Sequence, residues 1–171
     1  QHKNNFLKTR ITAARYMDDI LIIYNNNINI QNILQDMYHT SLDLQQTNTN
    51  NKTTDFLDIT ITLTNDSYQT KLYNKTDDYN FDIVKYIKKT SAMPQYITKN
   101  ILESEICRII NKNTEWKEAK LKIYELINQF QYNGFELSLI KSWINKLIPK
   151  QSEKITKFKK KSKEIIKELC N

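Results

Sequence analysis

Two short apolar runs separated by a polar break open the chain. Residues 11–16 and 20–24 are rich in β-prone side chains, and Asp18 and Asp19 lie between the two runs. Strands joined by so short a turn pair as an antiparallel hairpin, which would place both carboxylates at its tip. Residues 28–40 then carry apolar side chains at helical spacing, which predicts a short helix containing Ile30, Ile33, Leu34, Met37 and Tyr38.

A second β-rich stretch follows. Residues 42–44 are a candidate short strand, and residues 45–54 contain no apolar side chain, which predicts a loop. Residues 56–63 alternate over most of their length and are rich in β-branched side chains, so they are predicted to form one strand. A turn at 65–67 and a return strand at 68–73 would complete a second hairpin, which we expect to extend the sheet of the first.

Beyond about residue 82 the apolar spacing becomes helical. Helices are predicted at residues 97–111, 115–131, 135–148 and 150–169, and the last of them is basic and amphipathic. Gly134, the only glycine, follows the second of these helices, where a left-handed residue ends a helix at no steric cost. We therefore predict an α+β fold.

The length of 171 residues suits one domain or two small ones. We predict two β-hairpins plus a helix, followed by a helical bundle. The expected divisions are residues 1–90, residues 91–149, and a basic C-terminal helix at residues 150–171.

The formal net charge is +7, and residues 150–171 contribute +5 of it, from eight lysines and three glutamates. A cationic segment of this kind binds polyanions through counterion release, so we expect contact with nucleic acid. The alternative is a solvated lysine face on a surface helix. The candidate contacts are Lys154, Lys157, Lys159, Lys160, Lys161 and Lys163.

Composition adds a clue about origin. Phe, Tyr, Met, Ile, Asn and Lys, whose codons are A/T-rich, make up 86 of the residues. This bias favours an organelle or a parasite as the source, with the mitochondrion as a candidate compartment. Cys107 and Cys170 fit neither a zinc motif nor a disulfide framework, which is typical of reduced thiols in an intracellular protein. No apolar run approaches the roughly 20 residues of a membrane span, so we expect no membrane partner.

Asp18 and Asp19 could carry chemistry. Mg²⁺ prefers oxygen ligands, and a pair of Mg²⁺ ions stabilises the attacking and leaving oxygens in phosphoryl transfer. In that hypothesis Asp18 would bridge the metals and Asp19 would ligate or orient nearby. The site needs a further acid from an earlier strand, for which this chain has no room. The alternative is an Asp-Asp pair in an ordinary exposed turn.

The surroundings of this pair resemble a known family. Tyr16-Met17-Asp18-Asp19 between two hydrophobic strands resembles motif C of the reverse transcriptase palm, most like that of Penelope-like or organellar enzymes. Further segments are similar to motifs of that family in the same order, across residues 15–147. They are Phe56-Leu57-Asp58-Ile59-Thr60-Ile61, Leu72-Tyr73-Asn74-Lys75-Thr76-Asp77, Ser91-Ala92-Met93-Pro94 and Tyr132-Asn133-Gly134-Phe135. In the third segment, Met93 stands where His is usual.

The resemblance implies roles for particular residues. Asp18 and Asp19 would be the metal-binding acids, with Mg²⁺ as the cofactor. Tyr16 and Met17 would lie under the primer terminus and the incoming nucleotide. Lys75 would lie near backbone phosphates at the junction of palm and thumb, and the helical half would be a thumb that grips a duplex. A surface lysine without contacts is the alternative for Lys75.

Three hypotheses follow. In the first, the chain is a reverse-transcriptase-derived fragment that binds RNA, is inactive alone, and serves as a subunit of a larger ribonucleoprotein such as an organellar ribosome. In the second, it is the C-terminal palm and thumb of an active RNA-directed DNA polymerase, completed by a separate N-terminal chain. In the third, it is an unrelated α+β protein. The fingers, the first palm acid and the motif B loop are missing from the 171 residues, so we favour the first.

Overall fold

The computed structural model describes residues 11–24, 28–39, 41–48, 50, 52–65, 67–81 and 83–170, with Asp77 described by its backbone alone. The chain divides into two compact units, Gln1–Asn51 and Lys52–Asn171. Together they hold two antiparallel sheets and a set of helices, so the predicted α+β class is confirmed.

The first unit contains a hairpin and one helix. Strands β1 (Thr12–Tyr16) and β2 (Asp19–Ile23) pair with Tyr16 opposite Asp19, and helix α1 spans Ile30–Met37. The predicted hairpin and helix are both confirmed. The candidate strand at residues 42–44 is wrong, because the Leu42 N–H bonds the His39 carbonyl at 2.9 Å in a turn rather than joining a sheet.

The second unit begins with a three-stranded sheet. Its strands β3 (Thr53–Phe56), β4 (Ile59–Leu63) and β5 (Tyr68–Leu72) are antiparallel in that order. The return strand is confirmed, but the single strand predicted at residues 56–63 is wrong. Leu57 takes a left-handed conformation with φ 56° and reverses the chain, so residues 56 and 59 face each other across a tight turn.

Two further corrections concern this sheet. The loop predicted at residues 45–54 ends early, because Thr53 and Thr54 already pair with β4. The hairpins were expected to share one sheet, yet in the described part of the chain β1 and β2 pair only with each other. The extra turn at Leu57 gives β4 a partner on each side, so its ladder is complete without the first hairpin.

Helices fill the rest of the second unit. Three of them begin and end within two residues of their predicted bounds, namely α2 (Gln95–Lys112), α3 (Trp116–Tyr132) and α4 (Leu137–Leu147). Gly134 follows α3 with φ 91°, as its position predicts. Among the described helices, none is long and apolar enough to cross a membrane.

The C-terminal segment is broken, so the single helix predicted at residues 150–169 is wrong. A 3-10 turn at Ile148–Gln151 leads into α5 (Ser152–Ile155), a second 3-10 turn covers Thr156–Phe158, and α6 spans Ser162–Cys170. Lys159, with φ 55°, ends the second turn. The bend lets Phe158 pack on the Trp116 ring at 5.6 Å, while Ile165 is buried in the same core.

One hydrophobic core spans the second unit. It contains Leu72 from β5, the inner faces of the helices, and four side chains from the C-terminal segment. These four are Ile155, Phe158, Ile165 and Leu169. The described residues of this segment, 150–170, were expected to form a separate basic helix but supply core to the same unit as the other helices.

Cys107 and Cys170 are free thiols, and both are half-buried. Burial raises the pKa of each thiol, although the nearby Lys154 ammonium partly opposes this for Cys107. A raised pKa lowers the fraction of thiolate at neutral pH, and the thiolate is the reactive form.

The linker between α2 and α3 covers the outer edge of β5. The fully buried Asn113 accepts a hydrogen bond from the Leu72 N–H at 3.2 Å and donates one to the Ile109 carbonyl at 2.7 Å. Thr114 exchanges hydrogen bonds with the backbone of Thr70 at 2.9 and 3.0 Å. The edge strand is thereby satisfied by the linker instead of another strand.

Substitution of Asn113 tests this arrangement. Asn113→Ala should lower the free energy of unfolding by about 1–3 kcal/mol, because the Leu72 N–H is left buried without an acceptor. Urea denaturation followed by circular dichroism measures the change. The matched control is Asn111→Ala at an exposed position of the same helix end, which should change stability by less than about 0.5 kcal/mol. Equal effects of the two substitutions would contradict the assigned role.

Candidate nucleic-acid interface

Asp18 and Asp19 lie at the exposed tip of the first hairpin. Met17 and Asp18 form its two-residue turn, and Asp19 is the first residue of β2. Tight hairpin turns need a positive φ at the first turn position. Met17 provides it, with φ 52°. For a non-glycine residue this conformation costs about 1–2 kcal/mol.

Arg15 supports this turn from β1. Its Nε donates to the Met17 carbonyl at 2.9 Å, and its guanidinium lies 5.7 Å from the centre of the Tyr38 ring beyond α1. Tyr16 and Met17 are 53% and 74% exposed, so both are accessible to a ligand. Arg15 therefore holds the tip against α1 through one hydrogen bond and one cation–π contact.

The tip presents two carboxylates, which is part of what a Mg²⁺ site would need. Asp18 and Asp19 are exposed. Within the described ranges, no three His, Cys, Asp or Glu side chains are grouped as metal ligands. The two residues could hold a metal together with waters and ligands from another molecule. Their role as metal ligands stays a prediction.

The turn between β3 and β4 repeats the turn of the first hairpin. Leu57-Asp58 occupies the positions of Met17-Asp18, with a left-handed apolar residue followed by Asp. Here the carboxylate is used internally, because Asp58 pairs with Lys112 at 2.8 Å and with Arg108 at 3.7 Å. Sequence reasoning missed this turn, although an Asp after a large apolar residue between β-prone runs was already visible at Asp18.

Lys75 is exposed at the start of a 3-10 turn, Lys75–Asp78. The same turn carries Asp78, which accepts a hydrogen bond from the Tyr73 hydroxyl at 2.5 Å. This bond is the main reason that the pKa of Tyr73 rises to about 12. Lys75 is thus placed on an accessible, structured turn, and its contact with phosphate stays a prediction.

The six predicted C-terminal lysines fall into two groups. Four of them have exposed side chains that form no ion pair or hydrogen bond with any described residue, namely Lys154, Lys159, Lys161 and Lys163. The other two, Lys157 and Lys160, are bonded within the protein. Lys157 donates to the Asn111 carbonyl at 3.2 Å, and its partial burial lowers its pKa.

Glu168 is the partner of Lys160 and fixes the segment against α3. Its carboxylate accepts from Lys160 at 2.5 Å and from the Trp116 indole at 2.8 Å, and it pairs with Lys120 at 3.2 Å. The Tyr124 hydroxyl also donates to the Glu168 carbonyl. The hydrogen bond from Lys160 is the largest cause that lowers the pKa of Glu168 to about 2, followed by the bond from Trp116.

Comparisons of the chain with protein-family models, with curated proteins and with solved structures find no match. The reverse transcriptase resemblance therefore rests on the sequence motifs.

The contribution of Glu168 to the stability of the fold depends on pH. Because its pKa in the folded protein lies below the ordinary 4.5, its charge stabilises the fold above pH 4.5, and that stabilisation is lost as the pH falls toward about 2. Glu168→Gln should therefore lower the free energy of unfolding at pH 7, and its difference from the parent protein should shrink between pH 4.5 and 2. Urea titrations at several pH values measure this difference.

Glu153→Gln is the control, since Glu153 is an exposed glutamate in the same segment. It should follow the parent protein at every pH. A Glu168→Gln difference that stays constant from neutral to acidic pH would contradict the assigned cause.

Proposed function

We propose that this protein binds RNA through its C-terminal basic segment, residues 150–170, as a subunit of a larger ribonucleoprotein. One observation carries the proposal: Lys154, Lys159, Lys161 and Lys163 are exposed and pair with none of the residues that the structure describes, on a segment whose apolar side chains are in the core. Lysines held on a packed segment offer phosphates a fixed set of positive charges, and their binding releases counterions.

The resemblance to reverse transcriptases supports RNA as the polyanion. A protein descended from such an enzyme could keep the fold and lose the chemistry, with the hairpin around Asp18 retained as structure. The A/T-rich codon bias favours an organellar assembly, and a mitochondrial ribosome is a concrete candidate. The partners would then be ribosomal RNA and neighbouring protein chains.

A second candidate function is RNA-directed DNA synthesis. The observation in its favour is the exposed tip, where Asp18 and Asp19 lie on a two-residue turn supported by Arg15. In this candidate function, the fingers and the remaining palm acid would come from residues outside these 171. Loss of one acid from a two-metal site costs several kcal/mol of transition-state stabilisation, on the order of a thousandfold in rate, so polymerisation requires those residues.

The lysine surface can be tested by its salt dependence. Lys161→Gln/Lys163→Gln should weaken binding of single-stranded RNA and reduce the slope of log affinity against log salt by about 0.7 for each lost phosphate contact. Fluorescence polarisation across a salt series measures both quantities. The control Lys71→Gln/Lys146→Gln removes two exposed charges from β5 and α4.

For the control, the slope of log affinity against log salt should differ from that of the parent protein by less than the change expected for one lost phosphate contact. Equal loss in both variants would show a general charge effect and contradict a defined interface. Point substitutions are preferable to deletion of residues 150–171, because deletion also removes Ile155, Phe158, Ile165 and Leu169 from the core.

The two candidate functions differ in their response to Asp18→Asn. In the binding function, RNA affinity should be unchanged by this substitution, both with and without Mg²⁺. In the polymerase function, the native assembly should extend a primer on an RNA template with Mg²⁺, and Asp18→Asn should abolish extension. Polarisation and primer-extension assays on the same preparations distinguish them, and extension by the parent assembly alone would overturn the binding-only function.

A further inference from the structure

Among the described residues, 79–81, 83 and 84 expose an unusual amount of apolar surface. Phe81 is 66% exposed, Val84 76% and Tyr79 49%, and the Tyr79 and Phe81 rings contact each other with centroids 5.4 Å apart. Contiguous exposed apolar groups on a soluble domain mark a binding surface more often than isolated ones do. Neither ring belongs to the hydrophobic core of the unit.

Both ends of this segment are fixed to the folded unit. Before it, the Tyr79 N–H bonds the Thr76 carbonyl at 3.4 Å, and Asp78 accepts from the Tyr73 hydroxyl. After it, the Tyr86 ring packs on Phe130 with centroids 5.0 Å apart. The exposed rings are therefore presented by a segment with anchored ends, which lowers the entropy cost of binding.

The segment continues into a cationic turn. Lys85 and Lys88 are exposed, and the Lys89 N–H bonds the Asn133 carbonyl at 2.9 Å. Asn133 also donates to the Tyr86 carbonyl at 3.1 Å, and its neighbour Tyr132 is 90% exposed. Lys85 follows Phe81 after three residues, one of them Asp82. Single-stranded nucleic acids bind surfaces that combine aromatic rings with cations, with bases stacked on the rings and phosphates on the cations.

We propose that Tyr79 and Phe81 stack on unpaired bases of single-stranded RNA while Lys85 and Lys88 contact its phosphates. This inference rests on the proposed RNA-binding function and adds a second contact surface to it, separate in sequence from residues 150–170. Base stacking needs a planar ring, whereas a protein partner needs apolar area of any shape. A substitution that keeps the apolar character and removes the ring therefore distinguishes the two occupants.

The test is Tyr79→Leu/Phe81→Leu. With a labelled oligouridine of about 12 nucleotides, its affinity should fall about tenfold or more, since each stacked base contributes substantially to binding. Its affinity for an RNA duplex of equal length should change by less than about twofold, because paired bases are not free to stack on the protein. Both substituted positions are exposed, and thermal melts check that the variant remains folded.

The matched control is Tyr68→Leu/Tyr96→Leu, which removes two exposed rings from β5 and α2. It should bind the oligouridine as the parent protein does. An unchanged affinity in Tyr79→Leu/Phe81→Leu, or an equal loss for duplex and single strand, would overturn the stacking proposal and assign these rings to a protein partner.

The same assay separates the two proposals. If Lys161→Gln/Lys163→Gln weakens binding and the ring variant does not, the stacking inference fails alone. If the parent protein binds neither RNA, both proposals fail.

Discussion

The second unit depends on how the outer edge of β5 is satisfied. Where an edge strand packs against helices, its buried N–H and C=O groups must be paired, because an unpaired buried group costs about 1–3 kcal/mol. Asn113 does this with its side chain, and Thr114 does it with its side chain and its backbone N–H, at the point where α2 ends and α3 begins. The same contact sets the sheet against α2, which places Leu72 in the core and brings Asp58 within reach of Lys112.

In the basic segment, some lysine side chains are bonded to other described residues and the rest are exposed. Lys157 and Lys160 lie among the lysines that the sequence offered as RNA contacts, yet they are bonded to Asn111 and Glu168. These bonds, together with buried Phe158, hold the bend at Lys159 in place. The other four lysines are then carried on packed structure, so the polyanion binding that we propose would lose fewer degrees of freedom.

Two hairpin turns have a left-handed apolar residue followed by Asp, but the Asp side chain is used differently in each. Met17-Asp18 and Leu57-Asp58 both place an apolar residue in the left-handed region, at a cost of about 1–2 kcal/mol each. Asp58 is used to bond the sheet to α2, whereas Asp18 remains exposed. The same kind of turn therefore bonds a helix at Asp58 and displays an exposed carboxylate at Asp18.

The sequence by itself determined the α+β class, the first hairpin, and the bounds of α2, α3 and α4 to within two residues, because local apolar spacing fixes such elements. It misassigned residues 56–63 and 150–169. Only tertiary contacts decided those segments. At the turn that contains Leu57, Asp58 pairs with Arg108 and Lys112 on a helix distant in sequence. The bend at Lys159 lets Phe158 pack against Trp116. The division of the lysines into bonded and exposed groups was equally invisible in the sequence. Lys157 bonds Asn111, which is far away in sequence, and Lys160 bonds Glu168, whose carboxylate also bonds the distant Trp116.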